Sequence, residues 1–558
     1  MNFRNLISVI ALLFALQAKS QINESQYQQI DSLFLEWNKP NHPGGAIGIM
    51  QNGKIVFSKA YGLASMEYLV PNATGTIFNT GSVSKQFTAM GIVLLQQQGK
   101  LSFDDDIRKH LPELPEFDYP ITIRHLLHHT SGLRSLHAML GLAGWRGDDA
   151  RTNEDLNRFM INQRDLNFKP GDQYLYCNTG YMLMVNIIEK LTGEKFPKWI
   201  KESIFEPLGM NSTYVEDNYS RIVPNNATSY YRSQTGDYER AVEYWGYVGS
   251  GNMHSTTSDL LTWLKNFYDP QANWEAPFQS MQTLDKFNDG SDNNYAFGVV
   301  LDKPNGYARI QHGGSIGGFR AFVGVYPEEK LNIAVLTNFS ASSSGSKANQ
   351  IAEILLPKVV ATNTENDSNN NSLKSVKLSS NQLKKYEASY WNEKDNYARK
   401  IYLKNDTLRY SRSENNESPI VPVGNNVFQM LEVEVDLKVK FETDGKSKSM
   451  IVTVDDSQPS TFYGFKPMLH SKEEMVSYTG KFYSPELETT YDIYIENDTL
   501  SYHHARHGDF KMKVIKKDVL EGEWPLAISK FKRDENGEIT GIFVTNGRVK
   551  NLWFEKQR

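Results

Sequence analysis

The sequence predicts a mixed α/β chain of the α+β type, with an antiparallel sheet, flanking helices and a helical insertion, followed by two small all-β domains. Three observations carry this prediction. Alternating apolar residues mark strands near both ends of the stretch before residue 360, and helical spacing marks the part between them. Ala361 to Ser372 holds hardly any apolar residue and cannot bury enough surface to offset its ordering entropy. Beyond it, Ile401-Tyr-Leu-Lys-Asn-Asp-Thr-Leu408 returns 92 residues later as Ile493-Tyr-Ile-Glu-Asn-Asp-Thr-Leu500.

Taken in order, residues 1–20 read as an export signal: Arg4 supplies charge, Leu6 to Leu16 an apolar stretch, and Ala18-Lys19-Ser20 a small-residue cleavage site. Ala46 to Met50 and Ile55 to Lys59 flank Asn52-Gly53, a strong hairpin signal. A helix is expected from Ser82 to Gln98, with Phe87, Met90, Val93 and Leu94 on one face and Gly99 as its stop. Tyr181 to Thr192 and Ser258 to Phe267 are helical pieces of the insertion. Tyr295 to Leu301, Tyr307 to Gln311, Phe319 to Tyr326 and Leu331 to Thr337 read as an antiparallel meander. The expected domains are residues 21–360, a polar linker at 361–377, and β repeats at 378–470 and 471–558. Each repeat opens on a Tyr-rich strand, Tyr386 to Trp391 or Tyr478 to Tyr483, and holds a turn such as Thr443-Asp444-Gly445 or Asp534 to Gly537. Barrels or sandwiches are the expected form. Their many aromatics read as core rather than as a binding face.

Composition narrows the function. The 558 residues carry 60 Lys and Arg against 65 Asp and Glu, a formal net charge of -5, so no global field gathers phosphate backbones and no nucleic-acid partner is expected. Removing residues 1–20 takes away Arg4 and Lys19 and no acid, which leaves -7. No apolar run is long enough to span a membrane as a helix, so no transmembrane anchor is expected. Release into a bacterial periplasm or the medium is the expected localisation. Cys177 is the only cysteine, so no internal disulfide forms and stability must come from packed cores.

Chemistry is suggested first by Ser82-Val-Ser-Lys85, which puts a hydroxyl and an amine on one face of a helix. A desolvated lysine can deprotonate serine, and amides at a helix start can receive a developing oxyanion. The pattern alone is weak, because Ser344 to Lys347 and Ser529 to Lys532 match it too. Context comes from Tyr176-Cys-Asn178 in a polar loop before a helix, from His312-Gly-Gly-Ser315 at a strand end, and from Ile121 to Leu133 between them.

With Ser82-x-x-Lys85, Tyr176-x-Asn178 and His312-x-Gly314 in that order, residues 25 to 358 resemble the serine β-lactamase and penicillin-binding protein superfamily. The likeness is to class C β-lactamases, D-alanyl-D-alanine carboxypeptidases and related esterases and D-amino-acid peptidases. Leu126-Leu-His-His-Thr-Ser-Gly-Leu133 and Ile204-Phe-Glu-Pro-Leu-Gly-Met210 also look like this family. The resemblance implies a β-lactamase-like fold and a serine hydrolase that acts on a small-molecule or peptide substrate through an acyl-enzyme, without cofactor or metal. It implies Ser82 as nucleophile, Lys85 as its partner, and Tyr176 as proton carrier to and from the leaving group. Whether Lys85 or Tyr176 is the acylation base stays open. Asn178 is implied as a donor to substrate, and the Ser82 and Ser315 amides as the oxyanion hole beside Gly314. His312 stands where typical β-lactamases have lysine, and Gly313 where they have a hydroxyl that holds a substrate carboxylate. This favours an esterase or peptidase over a β-lactamase or D-alanyl-D-alanine carboxypeptidase. A slowly acylating binding protein or sensor is a further alternative.

Other readings are weaker. Gly313 to Gly317 matches a G-x-S-x-G nucleophile elbow, but a strand rather than a helix follows Ser315. His125, His128 and His129 have ligand-like spacing without an acid or cysteine to complete a zinc set, and His503, His504 and His507 fare no better. Asp104 to Asp106 reads as a helix start rather than a metal site, and Cys177 as a packing residue.

Overall fold

In the computed structural model the described residues are 22–233, 235–357, 378–394, 396–413, 416–431, 437–443, 447–454, 459–467 and 471–558. The export signal, the linker, and Asp444-Gly445 of the first repeat's turn lie outside them.

Asn52 and Gly53 both take positive φ, the conformation that lets a two-residue turn follow the twist of its strands, and they join β1 (Gly45–Gln51) to β2 (Lys54–Tyr61). Four late strands complete the sheet: β3 (Val300–Asp302), β4 (Arg309–Ile316), β5 (Phe319–Tyr326) and β6 (Leu331–Thr337). Its order is β3-β4-β5-β6-β1-β2, antiparallel throughout, so the two ends of the domain meet at the β6–β1 pair. Every residue of β6 is buried, because the central strand is covered on both faces. On one side Ile47, Ile49, Phe322, Ile333 and Val335 pack with Ile30 of α1 (Glu24–Ser32), with Phe34 just beyond it and with Ile351 of α5 (Ser344–Leu355). On the other lies α4 (Thr257–Lys265), close enough that a Cβ on Gly48 would sit 2.8 Å from Leu261.

The expected strand from Tyr295 is a strand only from Val300; Tyr295 to Val299 form an irregular segment that is buried throughout. The expected helix at Ser82 is a 3₁₀ turn, Gly81–Ser84, leading into α2 (Lys85–Gln97). The reason is local: Ser84 Oγ donates to Gly81 O at 2.6 Å and accepts from Met253 N at 3.0 Å, which pins a tighter turn than an α-helix allows. α3 spans Asn178–Thr192.

The chain divides into two compact units, Met1–Met139 with Trp145–Ala361, and Leu140–Gly144 with Thr362–Arg558. In the second unit each β repeat is a closed eight-stranded antiparallel barrel. The repeated octapeptide is one hairpin made twice: Asn405-Asp406 and Asn497-Asp498 are its turns, all four with φ between 49° and 56°.

Candidate active site

Ser82 is half-buried in the 3₁₀ turn, and one turn of chain brings Lys85 under it. Lys85 is fully buried, with Nζ 3.3 Å from Ser82 Oγ. The ammonium or amine also donates to Asn178 Oδ1 and to the Ser250 carbonyl, both at 2.8 Å. These contacts come from α2, from the first residue of α3 and from the Gly249-Ser250-Gly251 segment, so three distant stretches fix one nitrogen. With Oδ1 turned to Lys85, Asn178 has its amide N–H groups left to donate elsewhere.

Tyr176 has its ring centroid 4.6 Å from Lys85 Nζ. His129, with a positive φ, lays its ring 4.2 Å from the Tyr176 ring and accepts the Cys177 N–H on Nδ1 at 3.1 Å. Cys177 between the two site residues turns inward, 2% exposed, with its thiol toward the Leu133 and Arg134 carbonyls. His128 hydrogen-bonds the Tyr295 carbonyl through Nδ1 at 2.7 Å, and His125 closes a capping box with Thr122. All three histidines of this segment therefore meet protein partners.

The facing wall is the end of β4. A Cβ on Gly314 would lie 2.0 Å from Thr80 O, so only glycine lets this strand close on the turn that carries Ser82. One on Gly81 would lie 2.7 Å from Ser315 N, which brings the Ser315 amide against the nucleophile turn. After Ser315 the strand runs on to Ile316, which lies opposite Phe319 across the two-residue turn into β5. No helix follows it, as a nucleophile elbow requires.

His312, which stands where typical β-lactamases have lysine, is buried. It is 5% exposed, with Nδ1 2.6 Å from the Gly313 carbonyl and Nε2 2.9 Å from the Tyr295 hydroxyl. A carbonyl only accepts, so Nδ1 carries the proton and Tyr295 donates to Nε2. Burial, reinforced by the charge of Lys85, pushes the imidazole down to about 4, so it is neutral at pH 7.

The rival Ser-x-x-Lys matches go elsewhere. Lys347 donates to Leu33 O at 2.7 Å and pairs with Glu36 at 2.8 Å, and on the barrel strand Ile528–Arg533 the buried Ser529 and exposed Lys532 face opposite ways. Three contributors escaped sequence reasoning: the Ser250 carbonyl, Tyr295 and Thr80. The Gly249-Ser-Gly251 run was the one available signal for the first, and none marked the others.

A mainly antiparallel sheet, a buried Ser-x-x-Lys turn and a glycine-bearing strand closing over it define the penicillin-binding-protein-like class of serine hydrolase. Comparison with known proteins agrees. Residues 25–356 match the family model described as Beta-lactamase. A penicillin-binding protein of Bacillus subtilis (strain 168) is 30% identical over 333 residues, covering 57% of this chain and 73% of its own length. A D-aminopeptidase of Gluconobacter oxydans (strain 621H) is 26% identical over 313 residues, 56% of this chain and 59% of its own. Among solved structures, the octameric penicillin-binding protein homologue from Pyrococcus abyssi shares the fold, with TM-score 0.54 and 24% identity over 78% of this chain and 99% of that one. The chain belongs to the beta-lactamase family and is a serine hydrolase. Among the described residues no helix is long and apolar enough to cross a membrane.

Proposed function

We propose that this is an exported hydrolase of esterase or peptidase type, which cleaves an ester or amide through an acyl-enzyme on Ser82. The observation that carries the reading is Lys85 Nζ at 3.3 Å from Ser82 Oγ while it donates to Asn178 and Ser250. Once it has given up its proton, the amine has two N–H bonds committed to those acceptors and presents its lone pair to the Ser82 hydroxyl. Ser82 Oγ attacks the carbonyl carbon as its proton passes to Lys85. The oxyanion is received by the Ser82 and Ser315 amides; as it collapses, the bond from the carbonyl carbon to the leaving group breaks, Tyr176 gives that group its phenol proton, and the proton held by Lys85 returns to Tyr176. Water then repeats the sequence on the acyl-enzyme and frees the acid.

A neutral His312 and a side-chain-free Gly313 support a substrate without a carboxylate beside the scissile bond, because neither supplies a charge or hydroxyl to hold one. The Gluconobacter oxydans relative is a D-aminopeptidase, and a D-residue amide or a short acyl ester meets this description.

The test is to treat the protein with a fluorophosphonate and map the modified peptide, then compare turnover of short acyl esters, D-residue amides and a chromogenic cephalosporin. Labelling at Ser82 with ester or amide turnover is expected. Labelling elsewhere, or efficient turnover of the cephalosporin alone, overturns the reading. Stoichiometric labelling without turnover of any substrate favours a sensor.

A further inference from the structure

The acyl-transfer scheme above leaves unused a carboxyl group, that of Glu243, packed against the turn that follows its oxyanion strand. Beyond Ser315, β4 ends at Ile316, and the chain turns through Gly317-Gly318 and returns as β5 with Arg320 opposite Ser315. Gly317 has φ of +47°, and a Cβ there would lie 1.7 Å from Glu243 Oε1, so the carboxyl group fills the space that any other residue's side chain would need. The same oxygen accepts from Ser229 Oγ at 2.6 Å, and Ser229 Oγ accepts the Gly318 N–H at 3.0 Å. From the other side, Arg320 donates to the Gly317 and Phe319 carbonyls at 3.0 and 2.7 Å. Gly318 is thereby held by a relay that starts at Glu243, and Gly317 by Arg320 with the carboxyl group packed against its Cα.

We propose that Glu243 is a positioning residue for acyl transfer: through Ser229 and the Gly317-Gly318 turn it fixes the strand end whose Ser315 amide receives the oxyanion. The inference rests on the Ser82 reading. It follows from leverage, because an oxyanion donor acts only over a few tenths of an ångström, and a hairpin end shifts when its turn is released. The carboxyl group also titrates in a useful range, since burial raises it to about 7 against the hydrogen bonds from Ser229 and Gly318 and the charge of Arg320. The other titratable groups that sense it are the Tyr231 and Tyr247 phenols. Below neutral pH the group is uncharged. Above it, a negative charge stands near the amide that must stabilise another.

The experiment compares wild type with Glu243→Ala, Glu243→Gln and Ser229→Ala, using kcat per Ser82 titrated with fluorophosphonate, KM, and the pH profile of kcat on a short acyl ester. Glu243→Ala and Ser229→Ala are expected to lose about 10-fold or more in kcat with KM within about twofold, as for a group felt in the transition state. Glu243→Gln is expected to keep kcat below pH 7 and to lack the decline that wild type shows as pH rises through neutrality. Unchanged kcat per titrated site in both Glu243→Ala and Ser229→Ala, or identical pH profiles for wild type and Glu243→Gln, overturns the proposal. Should Glu243→Ala fail to fold, Ser229→Ala and Glu243→Gln carry the test. A wild type that titrates at a residue other than Ser82 overturns the underlying reading and this inference with it.

Discussion

The hydrolase unit and the barrels bury different kinds of side chain. In the first, Lys85, Asn178, His128, His129, Arg134 and His312 lie under 9% exposed, and Lys85, held by Asn178 and Ser250, stands 3.3 Å from the Ser82 hydroxyl. In the first barrel the interior is Tyr386, Tyr390, Leu408, Phe428, Val439, Phe441 and Phe462, with the Tyr390 hydroxyl donating to the Tyr386 carbonyl and that of Tyr386 to Asn426. The second barrel has a similar interior, built on Phe482, Tyr491, Tyr502, Leu520, Ile542 and Phe554. Burying polar groups costs free energy unless each finds a partner, so a region that does it repeatedly beside a nucleophile has spent stability on chemistry. The barrel cores, by contrast, spend theirs on holding together.

That contrast can be broken in order of effect. Ser82→Ala is expected to abolish turnover, a loss of about 10⁴-fold or more, with the melting temperature barely changed; wild-type turnover in this variant, followed with a chromogenic ester, would remove the basis of the comparison. Lys85→Ala should cost about 10³-fold in kcat. It should also destabilise the unit by roughly 1–3 kcal/mol, because the Asn178 and Ser250 oxygens lose their donor. Denaturant titration beside kinetics separates the two effects. Tyr176→Phe keeps the ring packed on His129 and removes only the hydroxyl, so a loss of about 10²-fold in kcat is expected with an unchanged denaturation midpoint.

Acid sensitivity comes next. His312 is held neutral in the fold, at about 4, against an ordinary value of 6.5. The unfolded chain therefore binds a proton that the fold refuses as pH falls below 6.5. The stability owed to this group is whole above pH 6.5 and is lost progressively toward pH 4, by about 3 kcal/mol in all. His312→Gln should flatten that part of the pH dependence of the hydrolase unit's denaturation midpoint; an unchanged slope counts against a neutral His312. The smallest effect on catalysis is expected from Trp391→Ala. It removes an indole packed with Ile515, Val519 and Ile528 and flanked by Lys516 and Lys530, and so costs about 3 kcal/mol or more in the barrels while kcat on a short ester stays unchanged. A fall in kcat per titrated site would mean that the barrels take part in turnover.

Most of the sheet was legible. Phe319 to Tyr326 and Leu331 to Thr337 begin and end where their apolar runs do, and Asn52-Gly53 turns as that pair must. The 92-residue repeat revealed two like units, while barrel closure depends on pairing first strand with last, which no local pattern encodes. The Ser82, Lys85, Tyr176, Asn178 and His312 positions were visible as motifs. Their surroundings were not, since the Ser250 contribution is a carbonyl every residue possesses, and Tyr295 reaches His312 from a segment that reads as an ordinary strand. The 3₁₀ turn escaped for a similar reason: its tether, Met253, is 169 residues away from Ser84.

The doubled hairpin has a consequence for assembly of the chain. Two stretches that share Asn-Asp-Thr-Leu at the same strand position are near-equivalent templates, and during synthesis either could recruit the other's partner strand. Because each repeat closes on itself, its backbone donors and acceptors are satisfied without the other, and no open edge is left to lend or borrow a strand. Closure thus gives the duplicated sequence insulation: each copy can finish folding without reading its twin.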